Sequence, residues 1–270
     1  MQLKLEMNKA LVKWTFTSLI MVFLFSSCKK KVQDNYHPKY TAEYLSKQLE
    51  TAYKENDSAR LDAFFEEWHK SVKPNTDEFI HQNKAYTAIY DIYKVFYRPL
   101  NLMKYGDYEF GNSLNLNSKY VAIQSRIYYK VINWINFNDQ FMIDLKLDSI
   151  DCFRPPVNVY NRQILYLTDE YSAALYNFLG EETFNYNLPM SKDRWKDCHH
   201  RYRIIRPFLP VDWGRGSATT PLIRWIYLNI LLTKAQVYFS IGSSQAGIAD
   251  FEKEDGIWVM KKSVINEYID

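Results

Sequence analysis

Residues 222–268 read LIRWIYLNILLTKAQVYFSIGSSQAGIADFEKEDGIWVMKKSVINEY, four strand-length runs rich in β-branched and aromatic residues. The runs are Leu222–Ile230, Thr233–Ile241, Gly247–Lys253 and Ile257–Tyr268. Short breaks separate them. Leu231-Leu232 is the least turn-like, Gly242-Ser243-Ser244 is polar, and Glu254-Asp255-Gly256 contains the Asp-Gly pair that favours a tight hairpin, because both residues tolerate positive φ. Runs this short, joined this tightly, predict an antiparallel four-stranded meander.

Upstream the pattern is helical. Thr41 caps a helix to about Tyr53 with Tyr44, Leu45, Leu49, Ala52 and Tyr53 on one stripe. Asp57 or Ser58 starts a second, with Leu61, Phe64, Phe65 and Trp68 at i, i+3, i+4 and i+7 and Pro74 just beyond it. Asn75 or Thr76 starts a third, longer helix that Pro99 ends. Residues 106–117 read as loop. Tyr120 to Ile132 alternates as a half-buried strand, interrupted at Ser125, and Val157 to Leu167 is a second candidate. Asp169 caps a short helix that Gly180 closes, and Tyr202 to Leu209 reads as an edge strand because of Pro207. The expected class is α+β: N-terminal helices (41–99) packed on a curved antiparallel sheet (118–270), one domain over 41–270.

The first 28 residues carry a different message. Lys9 and Lys13 precede an apolar run from Trp14 to Phe25, then Ser26, Ser27 and Cys28. A cationic start, a short apolar stretch and small residues describe a secretory signal rather than a membrane span, which needs about 20 apolar residues. Phe25-Ser26-Ser27-Cys28 resembles a bacterial lipobox, with Phe25 where that family prefers Leu. The resemblance implies cleavage after residue 27, acyl chains on Cys28 and a tether over 28–40. Lys29-Lys30-Lys31 supplies neither an inner-membrane nor a surface sorting signal of acidic type. The resemblance therefore implies the outer membrane, facing the periplasm, with the membrane itself as one partner. In overall plan the chain resembles the envelope lipoproteins of Gram-negative bacteria. Residues 251–262 resemble the last hairpin of cystatin-like and NTF2-like domains.

Composition narrows the remaining possibilities. The chain of 270 residues has a net charge of +3, and removing Lys4, Lys9, Lys13 and Glu6 with the signal brings this to about +1. That balance gives no footprint for nucleic acid. With Cys28 acylated, Cys152 and Cys198 are left as a disulfide or as two separate thiols; a bridge closing about 45 residues would contribute about 3–4 kcal/mol. Aromatics make up 17% of the chain, with 22 Tyr, which serves a core and also suits sugar stacking.

No catalytic motif emerges: no His-Glu-x-x-His, Gly-x-Ser-x-Gly or Walker loop, and no cofactor is implied. In Asp197-Cys198-His199-His200 the adjacent histidines point apart, and a zinc site needs three or four convergent ligands. The basic residues around it, Lys192, Arg194, Lys196, Arg201 and Arg203, read as a solvated face in preference to a contact for an anionic glycan or lipid headgroup. The loop 211–220 offers Trp213 for stacking and Asp212 and Arg215 for hydrogen bonds, with Trp225 positioned to line the same surface. The expectation is a non-enzymatic envelope lipoprotein binding a partner protein or envelope polymer. The alternatives are a glycan-binding accessory lipoprotein and a hydrolase with a dispersed site.

Overall fold

A computed structural model describes residues 36–106, 117–133, 146–180, 191–210, 221–242 and 245–267. Helix α1 (Ala42–Lys54) begins where the Thr41 side chain accepts the Tyr44 N–H at 3.2 Å. Helix α2 (Ser58–Ser71) begins likewise at Asp57, which accepts from Arg60 N at 2.9 Å. Leu45, Leu49 and Ala52 of α1 and Leu61, Phe65 and Trp68 of α2 are buried. The sequence placed Tyr44 on that apolar stripe, but it is 46% exposed.

The long third helix is two helices. Thr76 caps α3 (Asp77–Ile80), the chain breaks at residues 81–83, and Asn83 caps α4 (Lys84–Phe96) by accepting from Tyr86 N at 2.8 Å. Asn83 is extended at φ −150°, so this second cap starts a new helix where apolar spacing alone suggested continuation.

The expected strand over Tyr120–Ile132 is also two. Strand β1 (Tyr120–Gln124) pairs in parallel with β4 (Gln163–Leu167), forming a separate two-stranded sheet. Strand β2 (Ile127–Ile132) lies in the main sheet, between β3 (Asp148–Ile150) and β5 (Leu222–Asn229). Every residue of β1 is buried, as parallel strands covered on both faces require. Gln124 joins the sheets: its amide donates to Ile223 O at 2.8 Å and accepts from Ile223 N at 2.7 Å, imitating a ladder pair.

The meander forms as read. Strands β5, β6 (Lys234–Ile241), β7 (Gln245–Glu254) and β8 (Ile257–Glu267) pair consecutively and antiparallel. Asp255 and Gly256 turn at φ +49° and +85°. The class is α+β, but the six-stranded sheet, ordered β3-β2-β5-β6-β7-β8, is mixed rather than antiparallel, because β2 runs parallel to β5. Phe239 on its inner face packs against Phe96 and Tyr105, with ring centroids 5.3 and 5.2 Å away. Gly247 is obligatory beneath it, since a Cβ there would lie 2.4 Å from the Phe239 ring.

Helix α5 (Asp169–Leu179) ends at Gly180 as expected, but its N-cap is Thr168, and Asp169, expected as the cap, lies in the first turn. The expected edge strand at Tyr202–Leu209 is instead the end of α6 (Lys192–Ile205). Ser191 caps this helix, and Cys198, Tyr202 and Ile205 fall on one buried face. Its helical period outweighs the β-rich composition of its last turn, and Pro207 lies just past its end. A second aromatic core joins these parts. Trp68 stacks on Tyr171 at 4.2 Å and 6°, and Phe65 on Phe208 at 4.7 Å and 7°.

Candidate functional site

A groove of about 170 Å³ opens where α1 and α2 meet the start of α5. Tyr40, Tyr44, Leu45 and Gln48 come from α1 and its approach, Arg60, Ala63, Phe64 and Glu67 from α2, and Tyr171 from α5. The local sequence explains the alignment. Tyr40, Tyr44 and Gln48 follow at intervals of four, as do Arg60 and Phe64, with Glu67 three further on, so each set projects on one side of its chain.

The tyrosines make a flat wall: the Tyr40 and Tyr44 rings stack 4.9 Å apart at 17°. Across from them, Phe64 meets Tyr171 edge-on at 6.1 Å and 71°. The Tyr171 hydroxyl lies 3.1 Å from Ser71 Oγ, and burial pushes its pKa up to about 12. The rim charges are matched internally. Lys39 Nζ lies 2.6 Å from Glu67 Oε1, and Arg60 lies 2.7 Å from Glu55 and 3.7 Å from Asp57. The hydrogen bond from Lys39 holds the Glu67 carboxyl below its ordinary range, so Glu67 stays a carboxylate at neutral pH.

The segment before α1, read as the end of a tether, is held against the domain from Tyr36 onward. The Tyr36 hydroxyl lies 3.3 Å from Thr168 Oγ1 and donates to Glu170 at 3.3 Å, and its ring sits 4.8 Å from the Arg154 guanidinium. Burial raises its pKa. This fixes Lys39 and Tyr40, which form one side of the groove.

The residues singled out from sequence fall elsewhere. Asp212, Trp213 and Arg215 lie outside the described residues, as does Cys28. Trp225 is on β5, stacked on Tyr238 at 5.0 Å, with its Nε1 buried and without a hydrogen-bond partner among the described residues. It is not brought to the groove. Cys152 and Cys198 are not bridged: Cys152 is exposed in a turn at φ +57°, and Cys198 is buried in α6. Of the two alternatives left by the sequence, a disulfide or two separate thiols, the structure has the separate thiols.

Asp197-Cys198-His199-His200 is explained by packing. Asp197 accepts from Tyr53 at 2.7 Å and from Arg201 Nε at 2.9 Å, His199 stacks on Trp195 at 4.9 Å, and His200 Nδ1 lies 3.2 Å from the Tyr53 hydroxyl. Arg201, read as solvated, has a side chain only 13% exposed. Its guanidinium bonds both oxygens of Glu50 and lies over the Tyr53 and Phe178 rings at 4.4 and 5.0 Å, clamping α1, α5 and α6 together. No group of three or more His, Cys, Asp or Glu among the described residues is placed to hold a metal, and no helix among them is long and apolar enough to cross a membrane.

Sequence reasoning missed the groove because Tyr44 and Phe64 were counted as core. The signal lay in the polar residues interleaved with them, Gln48, Arg60 and Glu67, at spacings that share their face. No family model matches this chain, and no curated protein or solved structure matches it either.

Proposed function

We propose that this chain is a lipid-anchored protein of the bacterial envelope, held at Cys28 and facing the periplasm, whose domain works by binding rather than by catalysis. The observation that carries the binding half is the groove. Its walls are aromatic, and its one carboxylate, Glu67, is committed to Lys39. A glycosidase needs two carboxylates facing across a cleft, one of them able to hold a proton near neutral pH. The groove lining supplies one, and its pKa is shifted the wrong way for that task. The arrangement suits recognition of a partner that presents apolar faces bordered by hydrogen-bonding groups.

The anchoring half rests on the stretch Lys9 to Cys28 and its likeness to a lipobox. Two or three acyl chains would hold the protein firmly, since each buried methylene contributes about 0.8 kcal/mol. Extraction of the intact protein from membranes, followed by mass spectrometry of its N-terminal peptide, tests this half. The expected species is a peptide starting at an acylated Cys28, and an unmodified N-terminus at any other residue overturns it. Co-purification of a partner or polymer with the lipidated protein tests the other half. Loss of that material in Tyr44→Ala would locate it at the groove; material retained equally by the variant would remove the groove from the reading.

A further inference from the structure

The groove's dimensions and charge specify a ligand class, and naming it rests on the binding reading above. At about 170 Å³ the space is smaller than the roughly 300–1,000 Å³ of pockets that enclose a drug-sized molecule. It takes one ring, and its open form leaves the rest of a polymer outside. The Tyr40 and Tyr44 rings cover each other on their facing sides and Lys39 lies over Tyr40, so the flat face of π density left to a ligand is that of Tyr44, 46% exposed. Such a face is complementary to the weakly positive C–H groups on one side of a pyranose ring. Gln48 lies beside it, where sugar hydroxyls need donors and acceptors, and the Tyr40 hydroxyl, which donates to Glu67 at 3.4 Å, adds an acceptor.

Charge decides against the other occupants. A cation would compete with Lys39, whose ammonium already bonds Glu67 and lies 4.9 Å from the Tyr40 ring centroid. An anion would share Arg60 with Glu55 and Asp57 and would face the Glu67 carboxylate in the lining. A neutral polyol breaks neither pair. We infer that the groove formed by Tyr40, Tyr44, Gln48 and Tyr171 is a subsite for one ring of a neutral polysaccharide.

Full-length protein in nanodiscs, titrated calorimetrically with maltoheptaose, laminariheptaose, cellohexaose, xylohexaose and mannohexaose, tests this. The expected result is binding of at least one, weakened about tenfold by Tyr44→Ala and retained by Tyr44→Phe, which keeps the ring. Tyr44 is exposed on α1, so the alanine variant keeps its fold; Gln48→Ala, also expected to weaken binding, gives a second reading of the same site. Heat from none of the five sugars, or equal affinity in Tyr44→Ala and Gln48→Ala, overturns the inference. Binding of choline or of a proline-rich decapeptide in place of any sugar also overturns it, yet leaves a binding protein standing. Co-purification that recovers nothing is the separate failure of that broader reading.

Discussion

The Gln124 side chain is hydrogen-bonded to both backbone polar groups of Ile223, at 2.8 Å to the carbonyl and 2.7 Å from the N–H. One amide thus does the work of a missing strand neighbour at the point where the chain leaves the small parallel sheet for the large one. Both residues are buried, Gln124 at 8% exposure and Ile223 at 2%. Gln124→Ala strands a buried N–H and a buried C=O, and the expected loss of stability is about 2–4 kcal/mol. Gln124→Glu is expected to be worse at neutral pH, because it adds a buried charge and removes a donor. Urea unfolding followed by circular dichroism measures both, and a loss within 0.5 kcal/mol of zero (about the size of a surface substitution) would refute the bridging role.

Arg201 links three helices through Glu50, Asp197 and the Tyr53 and Phe178 rings. Arg201→Met is expected to cost about 2 kcal/mol at neutral pH. That is less than the 3–5 kcal/mol of a fully buried pair, because the Glu50 and Asp197 side chains keep 31% and 34% exposure. The pH dependence follows from the two carboxyls. The Arg201 hydrogen bond lowers the Glu50 pKa. Burial pushes Asp197 upward, but hydrogen bonds from Tyr53 and Arg201 outweigh it, and the net shift is downward. Depressed carboxyls bind fewer protons folded than unfolded. Their stabilisation is complete above the ordinary values of 4.5 and 3.8 and is lost as pH falls through the folded values. The gap between wild type and Arg201→Met should therefore narrow below about pH 4. A constant gap from pH 7 to pH 3 in thermal melts would contradict the clamp.

Asp250 behaves in the opposite sense. It is 9% exposed on β7, accepts from Gln236 Nε2 at 3.0 Å, and burial raises its pKa above the ordinary 3.8. The folded state then holds the proton more tightly than the unfolded state. The carboxyl's contribution to stability falls as pH rises from 3.8 through the folded value, and the penalty persists at pH 7. Asp250→Asn keeps the acceptor for Gln236 and removes the charge. Its melting temperature should exceed that of the wild type at pH 7 and match it near pH 3, and a lower melting temperature at pH 7 would contradict the assignment.

How much of this was legible in the sequence depends on where the information sits. The meander was readable because β-branched runs and Asp255-Gly256 are local signals, and the caps at Thr41 and Asp57 are equally local. The break between β1 and β2 was legible only as an interruption of the apolar face at Ser125, which a single strand can carry, and what divides the strands is the pairing of Gln124 with Ile223, 99 residues away. The helical end of α6 was hidden because Tyr202 and Ile205 suit a strand or a helix, and only their alignment with Cys198 on one buried face separates the two. The groove needed contact between Tyr44 on α1, Phe64 on α2 and Tyr171 on α5. Each residue alone is as plausible in a core as on a surface.

The protein's proposed role as a groove-based binder is tested most directly in the cells that make it. A photo-reactive p-benzoylphenylalanine in place of Tyr44, compared with one in place of Leu231, reports which surface is occupied. Leu231 is a fair control because it is 76% exposed at the β5–β6 turn, away from the groove. The expected result is a light-dependent adduct from position 44 and none from position 231. Adducts from position 231 alone, or from neither position, would contradict binding at the groove.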